Sequence, residues 1–340
     1  MGALPLFYLI VFFMLMQMSH ITRSVLTKAV LILAIALLTA SCGNGGGNND
    51  AGNKAKADDS LAVCVAVYPS LDALPLMLGN DWGILDSLGV AVKFQVYRSQ
   101  LDAEKALAEG CVDVAMTDLF RVVWWQWQKK PVKFAFVTRR NMGVVANKAL
   151  RLTDVRRLDD RMIAVSRFSL DDYFCDKIES ASKKGQILRP QINSVELRAK
   201  MLESGQLDAA VLGQQQIYKV AQQKFEPLKF DAGISDGFAG FAFNVYSMAS
   251  KLKRKQMDKL CEAYNLAVNR IMKMPKLQDV DDNTAKALFL DSETIGRIDP
   301  KKDFMLARKA GRPFVDKAVD WLTNRGAVGQ GLRGDTVVVE

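Results

Sequence analysis

Polar side chains recur where predicted strands end, and this is where the sequence could hold a small molecule. Ligands of open α/β sheets lie beyond the carboxyl ends of the strands, beside free N–H groups of helix N-termini. Hydroxyl, amide and backbone N–H groups there bind a molecule without transforming it, although each serine has an alternative role as a helix N-cap. The candidates fall into two groups along the chain: Ser70, Leu71, Ser99, Thr117 and Asp118, then Ser166, Arg167, Ser169, Gly213 and Gln214.

Three arginines follow predicted strands at the same positions. Arg139 and Arg140 end one strand, and Arg167 follows the first strand of the second lobe. A guanidinium at such a place holds a sulfonate, phosphate or carboxylate through two parallel hydrogen bonds. The alternative is that these are surface arginines. Asp118 has two roles open to it as well, pairing with an amine or ring N–H of a ligand or capping the next helix.

Aromatic residues offer stacking surfaces for a heterocycle. Trp124, Trp125 and Trp127 lie on a predicted helix beside two valines, a pattern that favours core packing over ligand stacking. Tyr173 has the same two interpretations, and the turn that contains Ser169 favours the ligand site.

Several kinds of chemistry are excluded by residues the chain lacks. The only histidine, His20, lies in a predicted leader, so the mature chain has no imidazole for a Ser-His-Asp triad, a usual zinc site or haem ligation. Gly233-Ile-Ser235-Asp-Gly237 matches a nucleophile pattern only by accident, since neither a histidine nor a strand-to-helix turn accompanies it. No phosphate-binding glycine motif opens a helix. We therefore predict no catalytic residues, no cofactor and no metal.

The elements that must position the candidates alternate as strand and helix. Apolar runs at 61–67, 90–97 and 112–116 predict buried strands, separated by helical patterns at 74–85 and 101–109. The order predicts a doubly wound, mostly parallel α/β sheet. A helix-glycine-strand pattern recurs 95 residues later, since Lys105-x-Leu107-x-x-Gly110-x-x-Asp113-x-Ala115 matches Lys200-x-Leu202-x-x-Gly205-x-x-Asp208-x-Ala210. We expect two α/β lobes whose polar groups face one cleft.

The amino end is typical of an export signal. A positive region with Arg23 and Lys28 precedes the apolar run 29–40, which is too short to span a membrane and ends at Cys42. Leu38-Thr39-Ala40-Ser41-Cys42 resembles a bacterial lipobox, which predicts lipidation of Cys42, with simple signal cleavage as the alternative. The uncharged segment 1–17 suggests that Met18 is the true start of the protein. The alternative is that 1–17 is a first transmembrane segment. Loss of two cations lowers the net charge from +9 to +7, which gives little support for a nucleic-acid partner.

The predicted organisation has a leader, a tether and two lobes joined by two hinge segments. Residues 1–42 are the leader, and the glycine- and asparagine-rich residues 43–60 form a flexible tether. Lobe 1 comprises 61–148 and 240–340, and lobe 2 comprises 149–239. Glycines of 233–240 suit one of the two crossings between lobes.

The order of these motifs resembles the type II periplasmic binding proteins of ABC transporters, in the nitrate/sulfonate/taurine class that includes receptors for thiamine precursors. The resemblance runs from 61 to about 325. It rests on Val67-Tyr-Pro-Ser70, Leu74-Pro-Leu76, Trp82-Gly-Ile-Leu85, the two helix-glycine-strand motifs with Asp118-Leu119, Pro131-Val-Lys-Phe134 and Trp321-Leu322. The tryptophans at 124, 125 and 127 depart from the class.

This resemblance implies a two-lobed fold and a membrane-tethered solute receptor. The expected ligand is a small anionic or heterocyclic metabolite, and the expected partners are an ABC permease and its ATPase. The protein would be an exported, periplasmic, lipid-anchored monomer and not an enzyme. Two alternatives stay open: an enzyme on the same fold, related to pyrimidine synthases or menaquinone-pathway proteins, or a receptor for signalling or adhesion.

Overall fold

The computed structural model describes residues 62–338 except 183–184, 224, 226, 235 and 333. The predicted leader, the lipidation site Cys42, the tether and Ser235 lie outside these residues. Within the described ranges, none of the helices combines the length and the apolar character needed to cross a membrane.

Within the described residues, eight strands form two sheets. They are β1 (Val63–Val67), β2 (Val92–Val96), β3 (Val114–Asp118), β4 (Val132–Arg139), β5 (Met142–Ala146), β6 (Ile163–Ala164), β7 (Ala209–Gly213) and β8 (Asp236–Asn244). One sheet has five strands in the order β2-β1-β3-β8-β4, and the other has three in the order β5-β7-β6. We call the part built on the five-stranded sheet lobe 1 and the part built on the three-stranded sheet lobe 2.

Both sheets contain parallel pairs and one antiparallel strand. β1 pairs in parallel with β2 and β3, while β8 runs antiparallel between β3 and β4. In lobe 2, β6 and β7 are parallel and β5 is antiparallel. The predicted α/β class with mostly parallel sheets is therefore confirmed.

Eleven α-helices of the described chain flank these sheets. They are α1 (Leu74–Asp81), α2 (Ile84–Ser87), α3 (Gln100–Glu109), α4 (Leu119–Trp127), α5 (Leu170–Ala181), α6 (Val195–Glu203), α7 (Gln214–Gln222), α8 (Lys251–Met272), α9 (Asp282–Ala287), α10 (Ser292–Arg297) and α11 (Arg312–Asn324). The helical pattern at 74–85 is divided into α1 and α2 because Gly83 adopts a left-handed conformation, with φ of 71°.

The chain crosses between the sheets twice. Arg140 and Asn141 separate β4 from β5, and the second crossing precedes β8. The strand pairing puts Met142–Ala146 in the sheet of lobe 2, whereas the predicted division assigns them to lobe 1. It also puts Asp236 and Ala239 in the sheet of lobe 1, ahead of the predicted boundary at 240. Both differences arise because ladder hydrogen bonds, which the sequence pattern does not report, decide where a strand belongs.

The repeated helix-glycine-strand motif has the same local structure in both lobes. Gly110 ends α3 and Gly205 follows α6, with left-handed φ angles of 76° and 77°. The carboxylates of Asp113 and Asp208 each accept a backbone N–H from the neighbouring strand segment, at 2.9 Å. Each repeat thus fixes a helix against the start of a parallel strand, so that both sheets present their carboxyl ends to the region between the lobes.

Candidate functional site

Arg140 lies at the first crossing, directly after β4, and its guanidinium is buried in the cleft between the lobes. Its Nη2 donates to Asp72 Oδ2 at 2.9 Å and to the Thr117 carbonyl at 3.3 Å, while Nη1 donates to Gln100 Oε1 at 3.0 Å. The guanidinium carbon also lies 5.5 Å from the centre of the Tyr68 ring. Burial opposes its charge, but the nearby acidic groups, Asp72 first and then Tyr68 and Asp118, together outweigh burial and raise the pKa of Arg140. Arg140 is therefore a fixed cation in the cleft.

A buried network centred on Glu104 supports this arrangement from lobe 1. The Glu104 carboxylate accepts hydrogen bonds from Gln100 Nε2 at 2.8 Å, Thr117 Oγ1 at 2.6 Å, Arg121 Nε at 2.7 Å and Trp125 Nε1 at 3.1 Å. Four donors around one carboxylate keep this side of the cleft rigid.

Asp118, the last residue of β3, links the network to lobe 2. Its carboxylate accepts the Arg121 N–H at 3.0 Å, as an N-cap of α4, and Gln100 Nε2 at 2.6 Å. It also accepts the N–H of Leu170, the first residue of α5, at 3.1 Å. Burial, together with the negative charge of Glu104, raises the pKa of Asp118 to about 6, although Arg140 and these hydrogen bonds oppose the rise.

Lobe 2 contributes a second buried arginine to the cleft. Arg198, on α6, donates through Nη1 to the Val211 carbonyl at 2.7 Å and through Nη2 to Asp171 Oδ2 at 2.6 Å. Its Nε–H is buried and has no hydrogen-bond partner among the described residues. Because a buried donor without an acceptor costs about 1–3 kcal/mol, this N–H is a place for an incoming acceptor.

The cavity between the lobes is small, and most of the residues that line it have polar side chains. It has a volume of about 20 Å³, which is room for about one water molecule. A neighbouring cavity of about 10 Å³ lies beside the first crossing. The larger cavity is lined by Tyr68, Pro69, Ser70, Gln100, Arg140, Met142, Ser166, Asp171, Asn193, Val195, Arg198, Gly213 and Gln216.

Half of the predicted site residues line these two cavities. Ser70, Ser166 and Gly213 line the larger one, and Leu71, Arg139 and Gln214 line the smaller one with Ser70. Ser166 donates to the side-chain oxygen of Asn193 at 3.1 Å.

Arg139 is held by an acid at its own strand end. Its Nε and Nη2 donate to the two oxygens of Asp236, at 2.7 and 2.5 Å, and its side chain is 25% exposed. Arg139 and Arg140 are thus each paired with a carboxylate, but Arg140 is buried and lines both cavities, whereas Arg139 lines only the smaller one.

The remaining predicted residues lie outside the cavity linings and have identifiable structural contacts. Ser99 and Ser169 cap α3 and α5 through the N–H groups of Asp102 and Asp171, at 3.2 Å each. Thr117 and Asp118 belong to the buried network described above. The Arg167 side chain is exposed, and its carbonyl accepts Arg121 Nη1 at 3.2 Å.

The aromatic candidates pack together or against neighbouring side chains. Tyr173 stacks on Phe120, with ring centres 4.8 Å apart, and contacts Trp321 edge to face at 5.6 Å. Trp125 is buried and hydrogen-bonded to Glu104, and Trp124 lies under the Arg121 guanidinium at 4.6 Å. None of the three tryptophans lines either cavity of the described cleft, so their contacts fit the core-packing interpretation.

Sequence reasoning missed four important cleft residues: Tyr68, Gln100, Arg198 and Gln216. Tyr68 lies two residues before Ser70 and Gln100 directly follows Ser99, so the strand-end rule could have found both. Gln216 sits in the first turn of α7 and donates across the cleft to the Pro69 carbonyl at 3.2 Å. Arg198 gave no signal, because an arginine within a helix is usually exposed.

Three solved structures have the same fold as this chain. The alkanesulfonate-binding protein SsuA from Xanthomonas axonopodis pv. citri bound to MOPS has a TM-score of 0.65 at 12% identity, covering 83% of this chain and 99% of that chain. The periplasmic nitrate-binding protein NrtA from Synechocystis PCC 6803 has a TM-score of 0.64 at 11% identity, covering 83% and 86%. A Candida albicans protein that exhibits the generic periplasmic binding protein structural fold has a TM-score of 0.60 at 14% identity, covering 82% and 96%.

No protein-family model matches the chain, and no curated protein matches it in sequence. At identities this low, the structural likeness shows the fold. The predicted periplasmic binding protein fold is thereby confirmed, with sulfonate- and nitrate-binding proteins among its structural neighbours.

Proposed function

We propose that this protein is a solute receptor that captures a small oxyanion between its two lobes and delivers it to an ABC importer. The observation that carries the proposal is the pair of buried arginines in one polar cleft. Arg140 comes from the first crossing and Arg198 from lobe 2, and the Nε–H of Arg198 has no acceptor among the described residues. Proteins of the same fold that bind alkanesulfonate and nitrate support a small oxyanion as the ligand.

The two guanidinium groups define the ligand chemistry. Each is oriented by a carboxylate, Asp72 for Arg140 and Asp171 for Arg198, so their forks are in place before a ligand arrives. A sulfonate, nitrate or carboxylate would accept from the Arg198 Nε–H and from the hydroxyl and amide groups around it. A heterocyclic anion would also meet the ring of Tyr68, which lines the same cavity.

Ligand entry requires the lobes to separate, because the cavity of about 20 Å³ admits no solute larger than water. At the cleft the lobes are joined by Asp118 with the Leu170 N–H, Arg121 with the Arg167 carbonyl, and Gln216 with the Pro69 carbonyl. Outside the cleft they are joined by the stacking of Tyr173 on Phe120 and by the ion pair of Arg325 with Asp176, so separation must break these contacts as well. The two crossings allow a hinge motion, and a ligand that contacts both lobes would favour the closed form. Binding thus needs no chemical step.

We further infer that the receptor is exported and held on a membrane by a lipid on Cys42, as a monomer. The lipobox-like sequence and the glycine-rich tether support this. Radioactive palmitate should label the wild-type chain and should not label the Cys42→Ala variant. Equal labelling of both chains would contradict the lipid anchor.

An enzyme is a second candidate because Asp118 has a pKa near 6, which suits acid-base catalysis at neutral pH. Its carboxylate, however, is fully buried, accepts three hydrogen bonds and lies outside the cavity lining. These contacts favour a positioning role over proton transfer to a ligand. Neighbouring genes for a permease and an ATPase would support uptake over both catalysis and signalling.

Native mass spectrometry of the gently purified full-length chain, before and after denaturation, tests the proposal. We expect denaturation to release a small anion. A panel of MOPS, taurine, nitrate and acetate, with choline as the cationic control, then identifies the class by thermal unfolding. An anion at about 100 times its Kd should stabilise the fold by about 2.7 kcal/mol. Stabilisation by choline alone would contradict the proposed charge preference.

A further inference from the structure

A second cavity, much larger than the cleft, lies between the sheet of lobe 1 and the first half of α8. Its volume is about 490 Å³, within the range of about 300–1,000 Å³ typical of small-molecule sites. We call it the α8 groove. It is lined by Lys133, Ala135, Phe136, Phe243, Val245, Met248, Arg254, Met257, Asp258, Cys261 and Lys309.

The groove is formed by one face of a helix and one face of two strands. Residues 254, 257, 258 and 261 follow helical spacing and so share one side of α8. On the sheet side, Lys133 of β4 lies directly opposite Phe243 of β8. The register between β4 and β8 shifts between Phe134 and Phe136, which marks a bulge at Ala135. A methyl group at the bulge leaves space that a larger side chain would fill.

Apolar side chains form most of the groove surface. Phe136, Met248 and Met257 are buried, while Phe243 and Cys261 are partly exposed and Val245 is 36% exposed. Two methionines give a lining that adapts to flexible hydrocarbon chains. The groove is therefore suited to an aliphatic segment, unlike the polar cleft.

The charged residues of the groove are mainly cations. Lys133, Arg254 and Lys309 contribute three positive charges and Asp258 one negative charge, a net of +2. Within the described residues, none of the three cations forms an ion pair, although Arg254 donates to the Met248 carbonyl at 3.4 Å. These cations remain available to an anionic group at the edge of an apolar surface.

We propose that the α8 groove binds an amphipathic anion, through one aliphatic chain and the carboxylate or phosphate of the same molecule. The chain lies over Phe243 and Met257, and the anionic group meets Lys133 and Lys309. Such a ligand comes either from solution, as a free carboxylate, or from an anionic membrane lipid. This site is separate from the cleft and does not depend on the function proposed for it.

Alkylation of Cys261 in the unmodified full-length chain tests the proposal. N-Ethylmaleimide modifies the thiol, and peptide mapping by mass spectrometry measures the rate at Cys261. We expect sodium decanoate, below its micelle concentration, or phosphatidylglycerol vesicles to slow this reaction several-fold, whereas decyltrimethylammonium should not. Protection by decanoate identifies a free anion, and protection by the vesicles alone identifies a lipid. If neither decanoate nor the vesicles change the rate of alkylation at Cys261, the proposal is overturned.

Titration calorimetry with decanoate assigns the contacts. The double variant Lys133→Gln/Lys309→Gln should weaken binding at least about tenfold, or about 1.4 kcal/mol, and should leave decanol binding unchanged. The matched control is Lys301→Gln, an exposed lysine outside the groove. Ala135→Trp should abolish binding of both compounds by filling the space at the bulge. Unchanged decanoate affinity in the double variant would overturn the assignment of the cations.

Discussion

The carboxylate of Asp118, at the end of a strand in lobe 1, accepts the backbone N–H of Leu170, at the start of a helix in lobe 2, over 3.1 Å. The N-terminus of a helix carries partial positive charge, so it stabilises an anion placed there. One buried acid thus caps α4 in its own lobe and binds the start of α5 in the other. A single buried carboxylate therefore joins the starts of two helices across the two lobes.

The elevated pKa of Asp118 predicts a pH-dependent stability. Its pKa is about 6 in the folded protein against an ordinary 3.8, so folding prefers the protonated form. The stabilisation from that form is fully present below about pH 4 and is lost as the pH rises through about 6. In urea titrations at several pH values, we expect wild type to lose up to about 3 kcal/mol relative to Asp118→Asn between about pH 4 and 7. Parallel pH profiles of the two proteins would contradict the assignment.

Arg198→Lys should weaken anion binding while keeping the charge. A lysine cannot reproduce a fork that donates to Asp171, to the Val211 carbonyl and to a ligand at once. We expect at least about a tenfold increase in Kd by calorimetry with the anion that best stabilises wild type. Arg156→Lys is the matched control, because Arg156 pairs with Asp154 at the surface and lines neither cavity, and its Kd should be unchanged. Equal losses in the two variants would remove Arg198 from the ligand site.

Two glycines predict opposite effects of the same substitution. A Cβ at Gly240 of β8 would lie 2.0 Å from the Phe136 carbonyl oxygen, so Gly240→Ala should cost about 3 kcal/mol or more. A Cβ at Gly296 of α10 would meet no atom within 4 Å, so Gly296→Ala should stabilise the helix by about 0.5–1 kcal/mol. Urea denaturation measures both changes. A neutral Gly240→Ala would show that β4 and β8 are not as closely paired as described here.

The equivalent aspartates of the two repeats, Asp113 and Asp208, should contribute unequally to the free energy of unfolding. Asp113 is 7% exposed, accepts the Cys64 N–H and pairs with Lys253 at 2.9 Å. Asp208 is 24% exposed, accepts the Met162 N–H and lies 3.6 Å from Arg161. We expect Asp113→Ala to cost about 2–3 kcal/mol and Asp208→Ala about 1 kcal/mol, since burial raises the cost of an unpaired donor. Equal unfolding free energies would mean that burial does not distinguish the two sites.

Local patterns in the sequence were sufficient to predict the architecture. The repeated glycines at 110 and 205 adopt left-handed backbone at helix ends, and the apolar runs at 61–67 and 112–116 contain the buried strands β1 and β3. The prediction of a buried strand at 90–97 was wrong in its burial, because β2 lies at the edge of the sheet and is mostly exposed. The same strand-end rule led to seven of the residues that line the two cavities. It also included Ser99 and Ser169, because an N-cap serine and a ligand-binding serine occupy the same position after a strand.

The missing part of the site depends on long-range contacts. Adjacent residues of a strand face opposite ways, and only the fold shows that Arg139 meets Asp236 while Arg140 enters the cleft. Arg198 and Asp171 lie 27 residues apart on different helices, so no local pattern joins them. Which arginine pairs with which aspartate is therefore visible only in the three-dimensional structure.

Hydrogen-deuterium exchange with and without the stabilising anion tests most directly whether the ligand binds between the lobes. Amide exchange should slow together at residues 68–72 in lobe 1 and 193–198 in lobe 2, because one ligand would contact both segments and favour closure. Slower exchange in a single lobe, or at the α8 groove alone, would contradict binding in the cleft.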